Sequence, residues 1–388
     1  MLALSEPIDF SGAAFLENPW PLYAQCRREQ PVWYSPLTST LCVFRFADVV
    51  QVLSSDDFTT TYPFKRTKQA FGETLLDIDG ERHKAQRRAL APALYLPAID
   101  ATLAQVSEPL LAHTLDSLPL GEAIDLGARL SAPLAFGSML GLFGLDPSDG
   151  PWIAERLEVL NAFVGRQHQD AAAVTDNRQR LDEHLRRFLA SGTLPAAPAL
   201  AEAMGSLRTE LDEDALLRLM VLMLAAGVET PLSAISNTLA TVIARPDWLA
   251  RAADPQQAMY LAAETLRWQP PQHDTVRFAV RATQVGAVEV AAGTAARVFL
   301  ASANRDEARF DDPERFNPLR SRSSSALSFG AGRHACPGRA LAMRLVTTVL
   351  AGLAQRYAVR PTSNADLRVV GSTFRRPVRL EVVLERRR

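Results

Sequence analysis

Apolar residues recur three and four apart along most of this chain, the spacing of an amphipathic helix. "RFADVVQVL", "RHKAQRRALAPAL", "RRFLASG" and "AMYLAAETLRW" all carry that pattern. Short β-branched and aromatic runs flank them: "PVWYS" and "LCVFRF" near the start, "AVRATQVGAVEV" and "ARVFLA" later, and "VRLEVVL" at the end. The pattern predicts a mainly α fold with small β-sheets. Strand signals in each half have no obvious partners there, so a single domain over 1–388 is expected. The stretch "SGTLPAAPALAEAMGS", Ser191 to Ser206, is rich in Pro, Ala, Gly and Ser and reads as a long surface loop.

The least ordinary element begins at Asp212. Its acidic first turn suits a helix dipole, and Pro246 stands just beyond its end. The span predicts a helix of roughly thirty residues, far above the usual length. Its first half is apolar almost all round, which predicts a course through the protein's centre. Within it lies "AGVETP". Pro231 lacks an N–H and its ring crowds the Gly227 carbonyl, so a kink or bulge is expected beside Glu229 and Thr230. Polar groups inside a buried helix are costly unless something uses them.

Composition narrows the function classes. The net charge of −1 offers no basic field for nucleic acid. Three cysteines make no disulfide framework and fit a reducing compartment. The opening residues include Glu6 and Asp9 and show no secretion signal. The longest apolar run, Leu219 to Val228, is too short to cross a bilayer. A cytoplasmic protein without a membrane anchor is expected.

One cysteine has a distinctive setting, "FGAGRHACPGRALA". Pro337 suits a first helical position, so Cys336 is expected at the N-cap of the helix that follows. There the dipole and unpaired N–H groups favour thiolate. Gly330, Gly332 and Gly338 permit a tight loop and close approach of a flat group. A zinc site would need further ligands at metal spacing, and none is evident. A nucleophilic cysteine would need a base better placed than His334. A single thiolate ligand to haem iron needs a flat cavity, cations for two propionates and a helix over the other face. Only this last use draws on all the features.

The sequence resembles the cytochrome P450 family. Phe329, Gly332, Cys336 and Gly338 meet its F-x-x-G-x-x-x-C-x-G signature. "ETLR" supplies the E-x-x-R pair, Glu264 and Arg267. "FDDPERFNP" resembles the segment whose arginine completes a Glu-Arg-Arg triad, here Arg315. "AGVET" resembles the oxygen-binding motif as Ala226, Gly227, Glu229 and Thr230.

The resemblance implies the P450 fold, with a long central helix over haem b. Cys336 would be the axial iron ligand, with Phe329 and Gly330 beside it and Ala226 on the opposite face. His83, Arg87, Arg277 and His334 would meet the propionates. Glu229 and Thr230 would deliver protons, while Glu264, Arg267 and Arg315 hold the cysteine loop. In this chain Pro231 stands where many relatives carry a second hydroxyl. The implied activity is insertion of one atom of O2 into a small organic substrate, in keeping with secondary metabolism. NAD(P)H-derived electrons would arrive through a separate ferredoxin, because no flavin or NAD fingerprint appears. Arg87, Arg88, Arg333, Arg339 and Arg344 are expected to form its docking patch. A peroxide-driven peroxygenase and a non-catalytic haem-thiolate sensor are the alternatives.

Substrate contacts are expected in "TTTYPFKRTKQAF", "LNAFVGRQHQ", "PPQHDTV" and "VGSTFRRP". Their Lys65, Arg66, Lys68 and Arg375 suggest either an anionic or carrier-linked substrate or a solvated basic rim.

Overall fold

The apolar stretch after Asp212 folds into one α-helix, Glu213–Ile243, of 31 residues. Asp212 is its N-cap, and the carboxylate accepts from the Ala215 N–H at 2.7 Å. Glu213 and Asp214 follow in the first turn. This is a computed structural model, and it describes residues 8–165, 170–193, 195, 197–320 and 323–387. The helix runs through Pro231 without a break in its α conformation. What the proline removes is the N–H that would meet the Gly227 carbonyl.

As a whole this helix is long and apolar enough to cross a membrane, unlike the ten-residue run inside it. Its most apolar window, however, is 56% buried within the protein.

Two apolar cores lie along it. Leu216 to Val228 pack with helices Gly150–Val164, Ala171–Ala190 and Pro198–Glu210. Ala234 to Ile243 pack with Pro255–Trp268 and Arg339–Arg356. Leu341 touches both cores.

The strand signals find partners far away in sequence. A five-stranded sheet runs Val32–Ser35, Thr40–Val43, Ala295–Val298, Thr275–Ala279, Phe58–Thr59. Thr40–Val43 pairs in parallel with Ala295–Val298, placing Cys42 opposite Arg297. Ala123–Asp125, Glu381–Arg386 and Tyr357–Pro361 form a second sheet, and two hairpins complete the β-structure. The result is mainly α with small sheets.

The stretch expected to be a surface loop is half helix. Pro198–Glu210 starts with Pro198 in its first turn and buries Leu200, Ala203, Met204 and Leu207. Those positions are i, i+3, i+4 and i+7, a helical face that the Pro and Ala content obscured. Leu194 and Ala196 lie outside the described residues.

Candidate active site

The cysteine loop closes on itself before its helix begins. The Cys336 N–H donates to the Phe329 carbonyl at 2.8 Å, and Ala335 N–H to Gly332 at 3.1 Å. Gly330 and Gly332 both have φ of 69°. A Cβ on Gly332 would meet the Leu53 carbonyl at 2.4 Å, so only glycine fits that turn.

The following helix starts at Arg339 with Gly338 as N-cap, so Cys336 lies two residues before the cap instead of on it. The Gly338 N–H bonds the sulfur in place of the expected first-turn donors. Cys336 keeps accessible surface. Burial nevertheless pushes its thiol up, opposed by that N–H and by the Arg87 and Arg339 charges. A group inside a concavity has both properties. Phe329 packs on the apolar core beneath the Arg339 guanidinium, 5.6 Å from the ring centre. Among the described residues no three His, Cys, Asp or Glu side chains group as a metal site, so the zinc reading lacks its further ligands.

Cations gather beside this loop. His83 and Arg87 share one face of helix Gly80–Leu90. Arg87 donates to the Ala335 carbonyl at 3.0 Å, one residue before the cysteine. His83 is buried, and its ring lies 4.2 Å from that of His334. Arg277, on strand Thr275–Ala279, is buried too. Among the described residues it donates only to the Val276 carbonyl at 3.0 Å and the Thr275 hydroxyl at 3.4 Å. Burial lowers its guanidinium to about 10, against the pull of Asp79. Among the described residues neither Arg87 nor Arg277 forms an ion pair.

His334 behaves differently from the other three. Its Nε2 meets Asp79 Oδ1 at 2.8 Å, and burial lowers its pKa to about 4. Asp79 also accepts from Arg333 at 2.8 Å, the Thr59 hydroxyl at 2.5 Å and the Thr60 N–H at 3.0 Å. The sequence reading overlooked Asp79. Its N-cap position before Gly80–Leu90 was a signal, although the side chain turns away from capping.

On the opposite side, the buried central helix opens for one turn. Ala226 is exposed and Gly227, Glu229 and Thr230 are half-buried, whereas Leu224, Ala225 and Pro231 are buried. Thr230 donates to the Ala226 carbonyl at 2.8 Å. Burial raises the Glu229 carboxyl, opposed by Arg376 and by a 3.4 Å bond from the Ser233 hydroxyl. Asn161 reaches from helix Gly150–Val164 to the Ala225 carbonyl at 3.5 Å and ties that helix to this turn.

Glu264 and Arg267 form the expected buried pair, Oε1 to Nη2 at 2.7 Å and Oε2 to Nε at 2.8 Å. Burial pushes Glu264 up, but Arg267 and Ser323 outweigh it and hold the carboxyl below its usual range. The third arginine is Arg320, with Nε 3.4 Å from Glu264. Arg315 is exposed and contributes only its backbone carbonyl, 3.3 Å from Arg267 Nη2. Both arginines follow the same "FDDP" turn, and only the fold decides which points inward. Through Asn304 the network reaches the cysteine loop: Arg267 donates to the Asn304 carbonyl, and Asn304 Oδ1 accepts the Leu327 N–H at 2.6 Å.

Two further expectations change. Arg88 lies across a groove from Gly205, Ser206 and Glu210, away from the Arg87 face, while Arg333 and Arg344 pair with Asp79 and Asp100. The five arginines therefore form no continuous free patch. The basic residues of the expected substrate segments are partnered in different ways. Lys65 lies 3.3 Å from Asp77, and Lys68 lies 3.2 Å from Glu73. Arg66 donates to the Phe163 carbonyl at 2.5 Å, and buried Arg375 serves backbone carbonyls at Val369 and Glu17. Of "LNAFVGRQHQ", residues 166–169 lie outside the described residues.

Comparison with known proteins agrees with this geometry. The cytochrome P450 family pattern matches residues 166–374, more than half of the chain. The chain is similar to linalool 8-monooxygenase of Pseudomonas putida, 28% identical over 368 residues, with 87% of this chain and 89% of the relative covered. It is also similar to erythromycin C-12 hydroxylase of Saccharopolyspora erythraea, 30% identical over 342 residues and 81% of each chain. Its fold is that of P450BioI, solved in complex with acyl carrier protein ligated to hexadec-9Z-enoic acid. That match has a TM-score of 0.85 at 21% identity and covers 96% of this chain and 100% of the other. Taken with the cysteine loop, the flanking cations and the opened central helix, these likenesses make this chain a member of the cytochrome P450 family, monooxygenases that bind haem and use O2 with electrons from a partner.

Proposed function

We propose that this chain is a cytoplasmic, single-domain monooxygenase that oxidises a small hydrophobic organic substrate of secondary metabolism. It uses haem b and NAD(P)H-derived electrons passed on by a separate ferredoxin. The observation that carries the haem assignment is the buried, unpaired charge of Arg277, with Arg87 likewise free of a carboxylate, beside a cysteine loop whose glycines admit a flat group. Two anionic propionates would satisfy that charge. The substrate class is supported by the two relatives, whose names give linalool and erythromycin as what they act on.

When bound, haem supplies the iron at which O2 is activated. Cys336 would be its thiolate ligand, held by the closed loop and by the Gly338 N–H. Phe329 and Gly330 line that side, and Ala226 leaves room on the other. Arg87, Arg277 and His83 would orient the propionates, and His334 braces His83 while engaged with Asp79. Burial raises the Glu229 carboxyl above its ordinary range, which suits it to carrying a proton, and Thr230 presents a hydroxyl one residue further on. The Glu264–Arg267–Arg320 network keeps the cysteine loop in register.

Reduction under carbon monoxide tests the ligand. The parent protein gives the red-shifted Soret band of a thiolate-ligated haem, and Cys336→Ser abolishes it; a band unchanged in the variant overturns the assignment. Thr230→Ala consumes NADH with a surrogate ferredoxin system but releases more of it as peroxide, and unchanged coupling would sink the role given to Thr230.

A further inference from the structure

Glu229, Ser233 and Ser236 fall at i, i+4 and i+7 of the central helix and so share one face. Hydroxyls on this helix are used in two ways. Thr230, Thr238 and Thr241 donate to carbonyls one turn back, at 2.8, 2.7 and 2.7 Å, and are satisfied within the helix. Ser233, fully buried, donates to Glu229 Oε1. Ser236 is 3% exposed and has no hydrogen-bond partner among the described residues.

Ser236 lines a cleft of about 260 Å³ with Asp125, Ala128, Leu232, Arg376 and Arg379. The cleft lies between the turn Gly127–Ser131, the strand Arg375–Arg379 and the central helix. It has polar walls and room for several waters, which can serve a hydroxyl the protein leaves unmatched. Arg376 at its edge is also the strongest attraction acting on the Glu229 carboxylate, while Glu158 opposes it.

We propose that this stripe is the inlet through which solvent protons reach Glu229, running from the cleft to Ser236, through a bridging water to Ser233, and on to the carboxylate. The inference rests on Glu229 acting as the proton relay. Ser233 and Ser236 are one turn apart, about 5–6 Å between Cβ atoms, so a water must join them. Once Glu229 has given up its proton, one proton enters from the cleft. Each hydroxyl accepts a proton and passes on its own, the carboxylate is reprotonated, and no electron moves. Arg376 is a positioning residue that favours the carboxylate awaiting that proton.

The test uses the substrate-free ferric holoenzyme transferred into D2O. Infrared spectroscopy follows the Glu229 carboxyl band, identified by its loss in Glu229→Gln. Ser236→Val fills the cleft end and slows exchange roughly a hundredfold, the low side of what a positioned proton-transfer group is worth. Thr238→Val, on the same helix but satisfied internally, leaves the rate alone. Ser236→Cys is labelled by a small methanethiosulfonate reagent far faster than the buried Cys26 and Cys42. Exchange at the parental rate in Ser236→Val, or no labelling of Ser236→Cys, overturns the inlet. Peroxide release per NADH unchanged in Glu229→Gln overturns instead the relay role on which it rests.

Discussion

Two sets of arginines in this protein use their charge in opposite ways. Arg267 has all five N–H donors engaged: two bonds to Glu264 and one each to the Asn304, Pro313 and Arg315 carbonyls. Glu264 in turn accepts from Arg267, Arg320, Ser323 and the Asn317 N–H. Arg277 is buried as well, yet among the described residues it bonds only its own strand neighbours, and half-buried Arg87 reaches a single carbonyl. Charge that the chain neutralises itself serves the fold. Under the function proposed above, the unpaired charge of Arg277 and Arg87 is held for an anion that comes from outside.

The largest effect comes from breaking the self-satisfied set. Glu264→Ala strands Arg267 and Arg320 and costs about 3–5 kcal/mol, seen as loss of soluble haem protein on expression. Normal yield and haem content would remove the structural role. Arg277→Leu tests the other set. Losing an unpaired buried cation changes urea stability by less than about 1 kcal/mol. Haem passes to excess apomyoglobin about tenfold faster, equivalent to about 1.4 kcal/mol of binding. The comparison fails if the variant unfolds more readily but keeps its haem.

His273 shows a third solution, neutrality. Burial, with the charges of Arg375, Arg305 and Arg297, holds its pKa well below 6.5, and among the described residues only the Tyr23 hydroxyl hydrogen-bonds its ring, at 3.2 Å. The unfolded chain binds a proton there near pH 6.5 while the folded chain does not. Stability is therefore full above that pH and declines as pH falls, with a limiting slope of about 1.4 kcal/mol per unit from this residue. Urea titrations between neutral pH and mild acid should show a flatter slope in His273→Gln; equal slopes would contradict this. The smallest effect separates two arginines. Arg315→Ala, whose contribution is a backbone carbonyl, stays within about 0.5 kcal/mol of the parent, whereas Arg320→Ala is clearly destabilised. The reverse order would restore Arg315 to the network.

Much of the site was legible in sequence because its signals are local. Gly330, Gly332 and Cys336 lie within seven residues, and their meaning is set by backbone conformation and short loop bonds. Asp212 and the acidic first turn mark the central helix for the same reason. The Ser191–Ser206 stretch was misread because composition overrode a helical face that was present in the order of residues. Arg315 was preferred to Arg320 because motif spacing says nothing about which side chain turns inward across more than fifty residues of chain.

What the sequence by itself determined is the identity of the chemistry. A lone cysteine in a glycine loop, a polar break in an apolar helix and the Glu264–Arg267 pair are each encoded within one or two turns, where sterics and hydrogen bonding leave few choices. Tertiary structure alone decided how charge is shared. Asp79 takes His334 and Arg333, Arg320 takes Glu264, Asp77 takes Lys65, and Arg87 and Arg277 are left without a carboxylate. Ion pairing depends on distances of a few ångströms between groups remote in sequence, and on the burial that makes an unmatched charge costly. Both are properties of packing, set only when the helices and sheet have closed around the site.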